Sequence, residues 1–347
     1  MKPEISVIIP LYNSSKFINK LFNSIERQTF SAIEVIFIDD GSSDNSGEIV
    51  SRLIASSKSG IIYRLYKQKN LGQQEARLSG LRLARAQKVT FIDGDDWVGS
   101  HHFANLIGVA DRTGADLVCA NYYLTTEKGS AFPKNGVYVD NVTLSRDDFC
   151  LRFIEGQIEG FYWNKLFDKD LFDLNHVVRT ENYMEDVSGI GAICPKIRIV
   201  AFSPNPTYHY IQRRNSAVHV KLDEHKIAGF SHAMEILKSL SLSYGKLGSI
   251  AYDYRYLKES IGLLSLAKTI DQVHDSIWLK TFSKKCRVAS TERAVLKRFN
   301  AYDLFLILHS KTKIHISLFR LRRGLLFLKQ FGATKLNALS SLMQRGR

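Results

Sequence analysis

The sequence has few cysteines and no long apolar run. Its cysteines, Cys119, Cys150, Cys194 and Cys286, lie far apart without a CxxC pair, which argues against a disulfide framework or structural zinc site and favours a reducing cytosol. No run of about 18 apolar residues is present, so no bilayer-spanning segment is expected. The apolar run at residues 5–9 is too short for the core of a signal peptide.

The sequence also lacks the glycine-rich loops that hold phosphates in many nucleotide-binding proteins. Neither GxGxxG nor GxxxxGK[ST] occurs anywhere in the chain. A phosphate bound by this protein therefore needs another counter-charge.

Positive charge is concentrated near the C-terminal end. Residues 276–347 carry 16 lysines and arginines against Glu292 and Asp303, so this segment alone accounts for the net charge of +14. Such asymmetry indicates an anionic partner, either nucleic acid or an acidic membrane surface. Because no zinc finger, RNP-like aromatic motif or basic arm before heptads is present, the membrane is favoured and nucleic acid is not expected.

The first hundred residues alternate between two hydrophobic periods. Short β-branched runs at residues 5–9, 35–38, 61–65 and 89–92 predict buried strands, and apolar residues at helical spacing between them predict amphipathic helices. The order β-α-β-α-β-α-β favours an α/β fold with a Rossmann-like, mostly parallel sheet flanked by helices. Ligands of such sheets bind beyond the carboxyl ends of the strands.

The segment DDGSSDNSG, residues 39–47, follows the second predicted strand. Most of it is explained as a strand-to-helix turn, in which Gly41 supplies the backbone conformation and a serine or aspartate caps the next helix. Asp39 is not explained in this way, because no cap is needed at that point. A carboxylate there suits the imide N–H of a uracil or a comparable base edge, with residues 10–13 forming the other wall.

The segment VTFIDGDDWV, residues 89–98, places Asp93, Asp95 and Asp96 directly after an apolar run. Two carboxylates at about 4 Å repel by on the order of 4 kcal/mol at an effective dielectric constant of 20, so the cluster needs a cation. Oxygen ligands that are few in number suit Mg²⁺ or Mn²⁺, with substrate phosphates completing the shell. A solvated acidic turn is the alternative, but the neighbouring carboxylate turn favours a metal.

Four segments in this order and spacing resemble the nucleotide-binding half of family 2 glycosyltransferases with the GT-A fold: ISVIIPLYNS, VIFIDDGSSDNS, NLGQQEARLSGL and VTFIDGDDW. The resemblance implies a nucleotide-sugar donor, with UDP the expected nucleotide, and base recognition by Asp39. Asn70 and Arg77 also match motif positions, whereas Leu78 stands where an asparagine is common. The resemblance further implies a DxD-type metal site at Asp93 and Asp95, with Asp96 adjacent.

The resemblance continues to about residue 218. FYWNKLFDKDLF is similar to the WNKL segment of the polysaccharide-building branch, which places Trp163, Asn164 and Lys165 on the acceptor side. NYMEDVSG matches an ED pair in which Asp186 acts as catalytic base, with Glu185 beside it on the acceptor side. Without the resemblance, Trp163 is also typical of a core position, and the two acids are typical of a first helical turn.

The segment PTYHYIQRRNSAV is similar to an aromatic and basic closing segment of the family. Arg213 matches a position implied to contact the diphosphate, whereas Ile211 stands where an arginine is frequent. The candidate donor-binding residues are Pro10, Tyr12, Asp39, Asn70, Arg77, Asp93 and Arg213.

The sequence after residue 218 is rich in leucine, lysine and serine, contains no proline and has helical spacing. It predicts a basic helical C-terminal appendage at 219–347, after a GT-A domain at 1–218 whose nucleotide-sugar and acceptor halves meet near residue 100. Residues 315–331 mix apolar and basic side chains, which favours contact with anionic lipid over an ordinary bundle with a basic exposed side.

These observations predict a metal-dependent, inverting glycosyltransferase on the cytoplasmic face of the membrane, attached peripherally. It would move a sugar from a nucleoside-diphosphate sugar to a hydroxyl of a glycan or lipid-linked acceptor in cell-surface polysaccharide synthesis. The alternatives are a catalytically silent, membrane-associated assembly protein on the same fold and a nucleotidyltransferase. The intact DGDD and ED segments count against the first, and the missing phosphate loop counts against the second.

Overall fold

The computed structural model describes most of the chain up to residue 266 and short pieces beyond it. The described residues are 2–134, 143–173, 183–212, 222–266, 281–282, 284–286, 293–300, 303 and 306–307. Arg213 lies outside the described residues, as does most of the basic segment 276–347.

The described residues form an α/β fold. Its strands are β1 Ile5–Leu11, β2 Ile33–Asp40, β3 Ile62–Gln68, β4 Lys88–Phe91, β5 Trp97–Val98, β6 Leu117–Thr126, β7 Ala131–Pro133, β8 Thr143–Ser145, β9 Lys165–Asp168 and β10 Ile199–Gln212. Its helices are α1 Ile18–Glu26, α2 Ser46–Ser56, α3 Gln73–Leu83, α4 His102–Thr113, α5 Arg146–Glu155, α6 Glu185–Ile193, α7 Glu224–Leu242, α8 Gly245–Leu264 and α9 Arg293–Leu296, with 3₁₀ turns at Lys169–Leu171 and Cys194–Lys196.

The strands form one open sheet in the order β3-β2-β1-β4-β9-β6-β10-β5, with β7 and β8 paired at its margins. The first four strands in the chain are parallel to one another, as the alternation of strands and helices predicts. Beyond β4 the direction changes, because β9 inserts antiparallel between β4 and β6. The sheet is therefore mixed, with its parallel part in the first hundred residues.

Helices cover both faces of the sheet because successive strand residues point to opposite sides. One core packs Ile8, Ile36 and Phe91 against helices α3, α5, α6, α7 and α8. The other packs Val7, Phe37 and residues of α1, α2 and α4. This two-sided burial fixes the carboxyl ends of β1, β2 and β4 at one edge, where their polar turns meet.

Two features differ from the sequence predictions. The run predicted as a buried strand at residues 61–65 becomes β3, which is largely part-exposed because, among the described strands, it ends the sheet and pairs with β2 alone. Helices α7 and α8, which lie within the predicted C-terminal appendage, share a core with α5 and α6 of the preceding region.

That shared core extends further along the chain. Its buried members after α8 are Phe282, Cys286, Val295, Leu306 and Ile307. No helix in the described part of the chain combines the length and hydropathy required of a membrane-spanning segment.

Candidate functional site

The turn after β2 brings Asp39 to the carboxyl edge of the sheet. Its register places Asp39 beside Leu11 of β1, and its Oδ1 accepts a hydrogen bond of 3.0 Å from the backbone N–H of Ser42. Gly41 has a φ of +73°, and a Cβ there would lie 2.8 Å from the backbone nitrogen of Asn70. The glycine therefore lets the Asp39 turn pack directly on Asn70, and both predicted donor residues meet at one wall.

The loop after β1 is tied to that same turn. Asn13, with a φ of +51°, accepts hydrogen bonds through Oδ1 from the backbone N–H groups of Ser43 and Asp44, at 2.9 and 3.3 Å. Asp44 in turn accepts from the backbone of Ser15 at 3.1 Å. Tyr12 is 53% exposed beside this junction, so its ring is accessible to a ligand.

The DGDD turn after β4 packs against the end of β1. A Cβ on Gly94 would lie 2.9 Å from the carbonyl oxygen of Pro10, so only glycine permits this approach. Asp93 remains at the surface of the cleft, with its side chain 19% exposed. The structure therefore joins Pro10, Asp39, Asn70 and Asp93 along one edge, as the sequence predicts.

The side chain of Asp96 points into the protein, away from the cleft. Its carboxylate accepts hydrogen bonds from the hydroxyl of Tyr208 at 2.7 Å and the backbone N–H of Ile211 at 2.8 Å, and the residue is 1% exposed. Burial raises the pKa of Asp96 well above its usual value, and the charges of Asp95 and Asp93 add to that rise. The expectation that Asp96 ligates a metal is corrected, because both its oxygens already bind the protein.

Arg77 stands at the centre of the cleft and connects its two sides. Its guanidinium contacts Asp93 at 3.0 Å, Asp186 at 2.6 Å and Glu185 at 3.4 Å, while its side chain is 4% exposed. Its charge also lies over the ring of Tyr162, 5.2 Å from the centroid. One buried cation thus holds the DGDD turn and the ED pair together, although they are about ninety residues apart in the sequence.

Asp186 is the second residue of α6, which begins at Glu185. Burial raises the pKa of Asp186 to about 7, opposed by Arg77 and reinforced by the charges of Glu185 and Asp93. A carboxylate with that pKa can accept a proton near neutral pH and release it again, which is what general-base chemistry requires. The position at a helix N-terminus also favours its negative form.

Trp163, Asn164 and Lys165 are buried, which corrects their expected contact with an acceptor. Trp163 stacks on Tyr208 with centroids 4.6 Å apart. Lys165 donates from Nζ to the carbonyls of Glu159 and Phe161 at 2.8 and 2.7 Å and to Oδ1 of Asn164 at 2.8 Å. These side chains therefore support the segment beside α6 rather than face a ligand.

The structure adds residues to the site that sequence reasoning missed. Gln73 donates from Nε2 to Oδ1 of Asp93 at 2.8 Å, and Asp40 accepts from the backbone N–H groups of Leu71 and Gly72 at 2.9 and 2.8 Å. Tyr208 accepts a hydrogen bond from the backbone N–H of Asp93 at 3.1 Å. Gln73 and Asp40 lie inside motifs described in the sequence analysis, which could have indicated them. Tyr208 contacts Asp93, which is 115 residues away in the sequence, so no local pattern indicates it.

No group of three or more His, Cys, Asp or Glu side chains within the described ranges is arranged to hold a metal ion. Two carboxylates, Asp93 and Asp95, remain partly exposed at the edge of the sheet. Two carboxylates are a small set of ligands, which fits Mg²⁺ or Mn²⁺ because these ions complete their shell with water and substrate phosphates.

The fold and the acidic turns at its strand ends define the GT-A class of glycosyltransferases. The sequence model described as Glycosyl transferase family 2 matches residues 6–172. The chain therefore carries a family 2 glycosyltransferase domain, which confirms the resemblance of the four motifs.

Similar proteins carry the same class name. The chain is 28% identical over 213 residues to glycosyltransferase EpsH of Bacillus subtilis, covering 60% of each chain. It is 29% identical over 232 residues to the cholesterol galactosyltransferase of Borreliella burgdorferi, covering 62% of each. The matched region thus spans about 60% of both relatives.

Among solved structures, S. aureus TarS 1–349 in complex with UDP-GlcNAc matches the fold with a TM-score of 0.60. The identity is 19%, over 93% of this chain and 92% of TarS. The likeness confirms the predicted GT-A fold.

Proposed function

We propose that this protein transfers one sugar from a nucleoside-diphosphate sugar, with UDP the expected nucleotide, to a hydroxyl of a glycan or lipid-linked acceptor, inverting the anomeric carbon. The observation that carries the proposal is the Arg77 contact with Asp93 on one side and Asp186 on the other. It joins a phosphate-binding edge to a proton acceptor within one cleft. Cell-surface polysaccharide synthesis is the expected setting.

Contacts at the sheet edge support a nucleotide-sugar donor. Asp39 and Asn70 form a wall beside the exposed ring of Tyr12, which suits a base and its ribose. UDP-GlcNAc bound to TarS and the galactosyl transfer named for the Borreliella relative support a hexose donor of this kind.

Asp93 and Asp95 would hold the Mg²⁺ or Mn²⁺ that we expect with the donor. The bound ion would neutralise charge on the diphosphate as it leaves. Asp96 serves instead to fix the DGDD turn through Tyr208.

The chain's own residues account for the remaining chemistry. Asp186 accepts the proton of the acceptor hydroxyl while that oxygen bonds to the anomeric carbon and the bond to the diphosphate oxygen breaks. The electron pair of the broken bond leaves with the diphosphate, on the face opposite the attacking oxygen, which gives inversion. Arg77 holds Asp186 in place and moves no proton itself.

The proposal is tested by a panel of nucleotide sugars, each added to full-length protein with Mn²⁺, with Mg²⁺ or with excess EDTA. We expect one UDP-sugar to raise the melting temperature only with metal, because binding to the folded state stabilises it. Asp95→Asn should abolish transfer and leave the metal-free melting temperature unchanged. Full activity in EDTA would contradict the metal requirement, and binding without turnover would favour a silent assembly protein.

We also propose that the basic C-terminal segment attaches the enzyme to the cytoplasmic face of an anionic membrane. The support is the charge of residues 276–347, at about 1 kcal/mol for each basic residue near the surface. Because the shared core includes Ile307, a truncation should follow that residue. Removal of residues 308–347, which carry nine of the sixteen lysines and arginines, should weaken binding to acidic vesicles, and so should high salt. Equal co-sedimentation of both forms would contradict attachment through residues 308–347.

A further inference from the structure

A cleft of about 220 Å³ lies between α3 and α6, beside the contacts of Arg77 described above. Helix α3 contributes Leu78 and Leu81, α6 contributes Ala192 and Ile193, and Phe91 and Phe172 form the floor between them. Leu78 and Leu81 lie one turn apart on α3, as do Gly189 and Ala192 on α6, so each helix turns neighbouring residues toward the cleft. Most of its surface is apolar.

The cleft is continuous with the catalytic centre. Arg77 and Tyr162 line it, and the same Arg77 contacts Asp186. Gly189, also in the lining, lies one turn along α6 from Asp186, a rise of about 4.5 Å. A group bonded close to the acceptor hydroxyl can therefore reach the cleft while the hydroxyl stays beside the base.

Leu78 makes this end of the cleft apolar. It is buried directly after Arg77, at the position where the family motif commonly has asparagine. An asparagine would bring an amide, which must find hydrogen-bond partners when buried. The leucine side chain has no hydrogen-bonding group. Its presence therefore favours an apolar ligand in the cleft.

We propose that the cleft binds an apolar group of the acceptor, an aliphatic chain or ring attached within about one sugar of the accepting hydroxyl. Its volume exceeds the roughly 150 Å³ of an apolar cavity that holds benzene, so a ring or a chain of several methylenes fits. The inference rests on the proposed function, because it names the acceptor class for the same site.

The probes are methyl, butyl, hexyl and octyl β-D-glucoside, each below its micelle concentration, titrated into full-length protein. Affinity should rise about fourfold for each methylene that enters the cleft, as expected for burial from water. The rise should level off once the chain exceeds the cleft. Equal affinity for methyl and octyl glucoside would overturn the inference.

A pair of variants locates the binding. Ala192→Phe places a ring in the cleft from its partly open side and should abolish the dependence on chain length while leaving methyl glucoside binding unchanged. Leu247→Phe, at an exposed apolar position on α8, is the matched control and should keep the parental dependence. Unchanged chain-length dependence in a folded Ala192→Phe protein would place the alkyl binding elsewhere and overturn the inference.

Donor binding is measured separately to keep the two proposals distinguishable. If a nucleotide sugar binds and is consumed while the alkyl series is flat, the cleft inference is wrong and the proposed function stands. If the series is steep but no nucleotide sugar binds with any metal, both the proposed function and the acceptor role of the cleft are overturned. Transfer to octyl glucoside at least about tenfold faster than to methyl glucoside, at equal low concentration, would support both.

Discussion

The proposed donor side of the cleft, at the carboxyl ends of β1, β2 and β4, and the proposed acceptor side, between β9 and α6, are held by different interactions. On the donor side, turns are joined by hydrogen bonds from backbone N–H groups to Asn13, Asp39, Asp40 and Asp44 near the surface. On the acceptor side, the support comes from buried aromatic rings and the buried ammonium of Lys165. We expect substitutions on the donor side to change binding and those on the acceptor side to change stability, except at Asp186.

Asp186→Asn should produce the largest loss of transfer activity, because Asp186 is the residue of the proposed acceptor side that we expect to act in the chemistry. The amide keeps the size of the side chain but cannot accept the hydroxyl proton, so transfer should fall by about 10² to 10⁴-fold. Donor affinity, measured by calorimetry on the same preparation, should stay within a few-fold of the parent. Glu185→Gln is the neighbouring control and should lose less; near-parental transfer by Asp186→Asn would remove it from the role of base.

Lys165→Met should cost about 3 kcal/mol or more in the free energy of unfolding. The substitution leaves the part-buried carbonyls of Glu159 and Phe161 and the buried amide oxygen of Asn164 without their donor. Lys88→Met is the matched control, because Lys88 pairs with Asp168 at a partly exposed site and should cost about 1 kcal/mol or less. Urea denaturation of both variants measures the difference, and equal losses would refute the contrast between the two sides.

Transfer should fall about tenfold for each pH unit below about 7, because burial raises the pKa of Asp186 to about 7 and the protonated form is inactive. Glu185→Gln removes a neighbouring charge that raises this pKa, so its profile should move to lower pH. Between the ordinary carboxyl pKa and 7 the folded protein retains a proton that the unfolded chain has lost. The contribution of Asp186 to stability therefore declines as pH rises through that range.

Asn13→Gly should have the smallest effect of these substitutions. It tests whether a change on the proposed donor side alters binding more than stability. Glycine tolerates the φ of +51° but loses the acceptor for the N–H groups of Ser43 and Asp44. We expect donor affinity to fall several-fold while the free energy of unfolding changes by about 1 kcal/mol or less. A stability loss as large as that of Lys165→Met would show that the turn network supports the fold.

The difference between the two sides also explains which features could be predicted from the sequence. In the first hundred residues local periodicity predicts the parallel strands β1 to β4 and the helices between them, so the placement of Asp39 and Asp93 at the same edge of the sheet was predictable. The role of Asp96 depends on Tyr208 and Ile211 of β10, more than 110 residues away. The ammonium of Lys165 binds carbonyl groups only four and six residues away, but the fold of that loop is not visible in a residue pattern. A motif records that these residue types recur but not which way their side chains point, so ligand contact was expected where the structure shows burial.

The single guanidinium shared by Asp93 and Asp186 has a consequence for how the two substrates bind. Any ligand that draws Asp93 away from Arg77 leaves that cation to the acids of α6 alone, which alters the charge next to the acceptor hydroxyl. Thermodynamic reciprocity then requires that an acceptor engaging Asp186 alter donor affinity by the same factor. Under the proposed function, the affinities for donor and acceptor are therefore coupled, and each should change when the other substrate is bound.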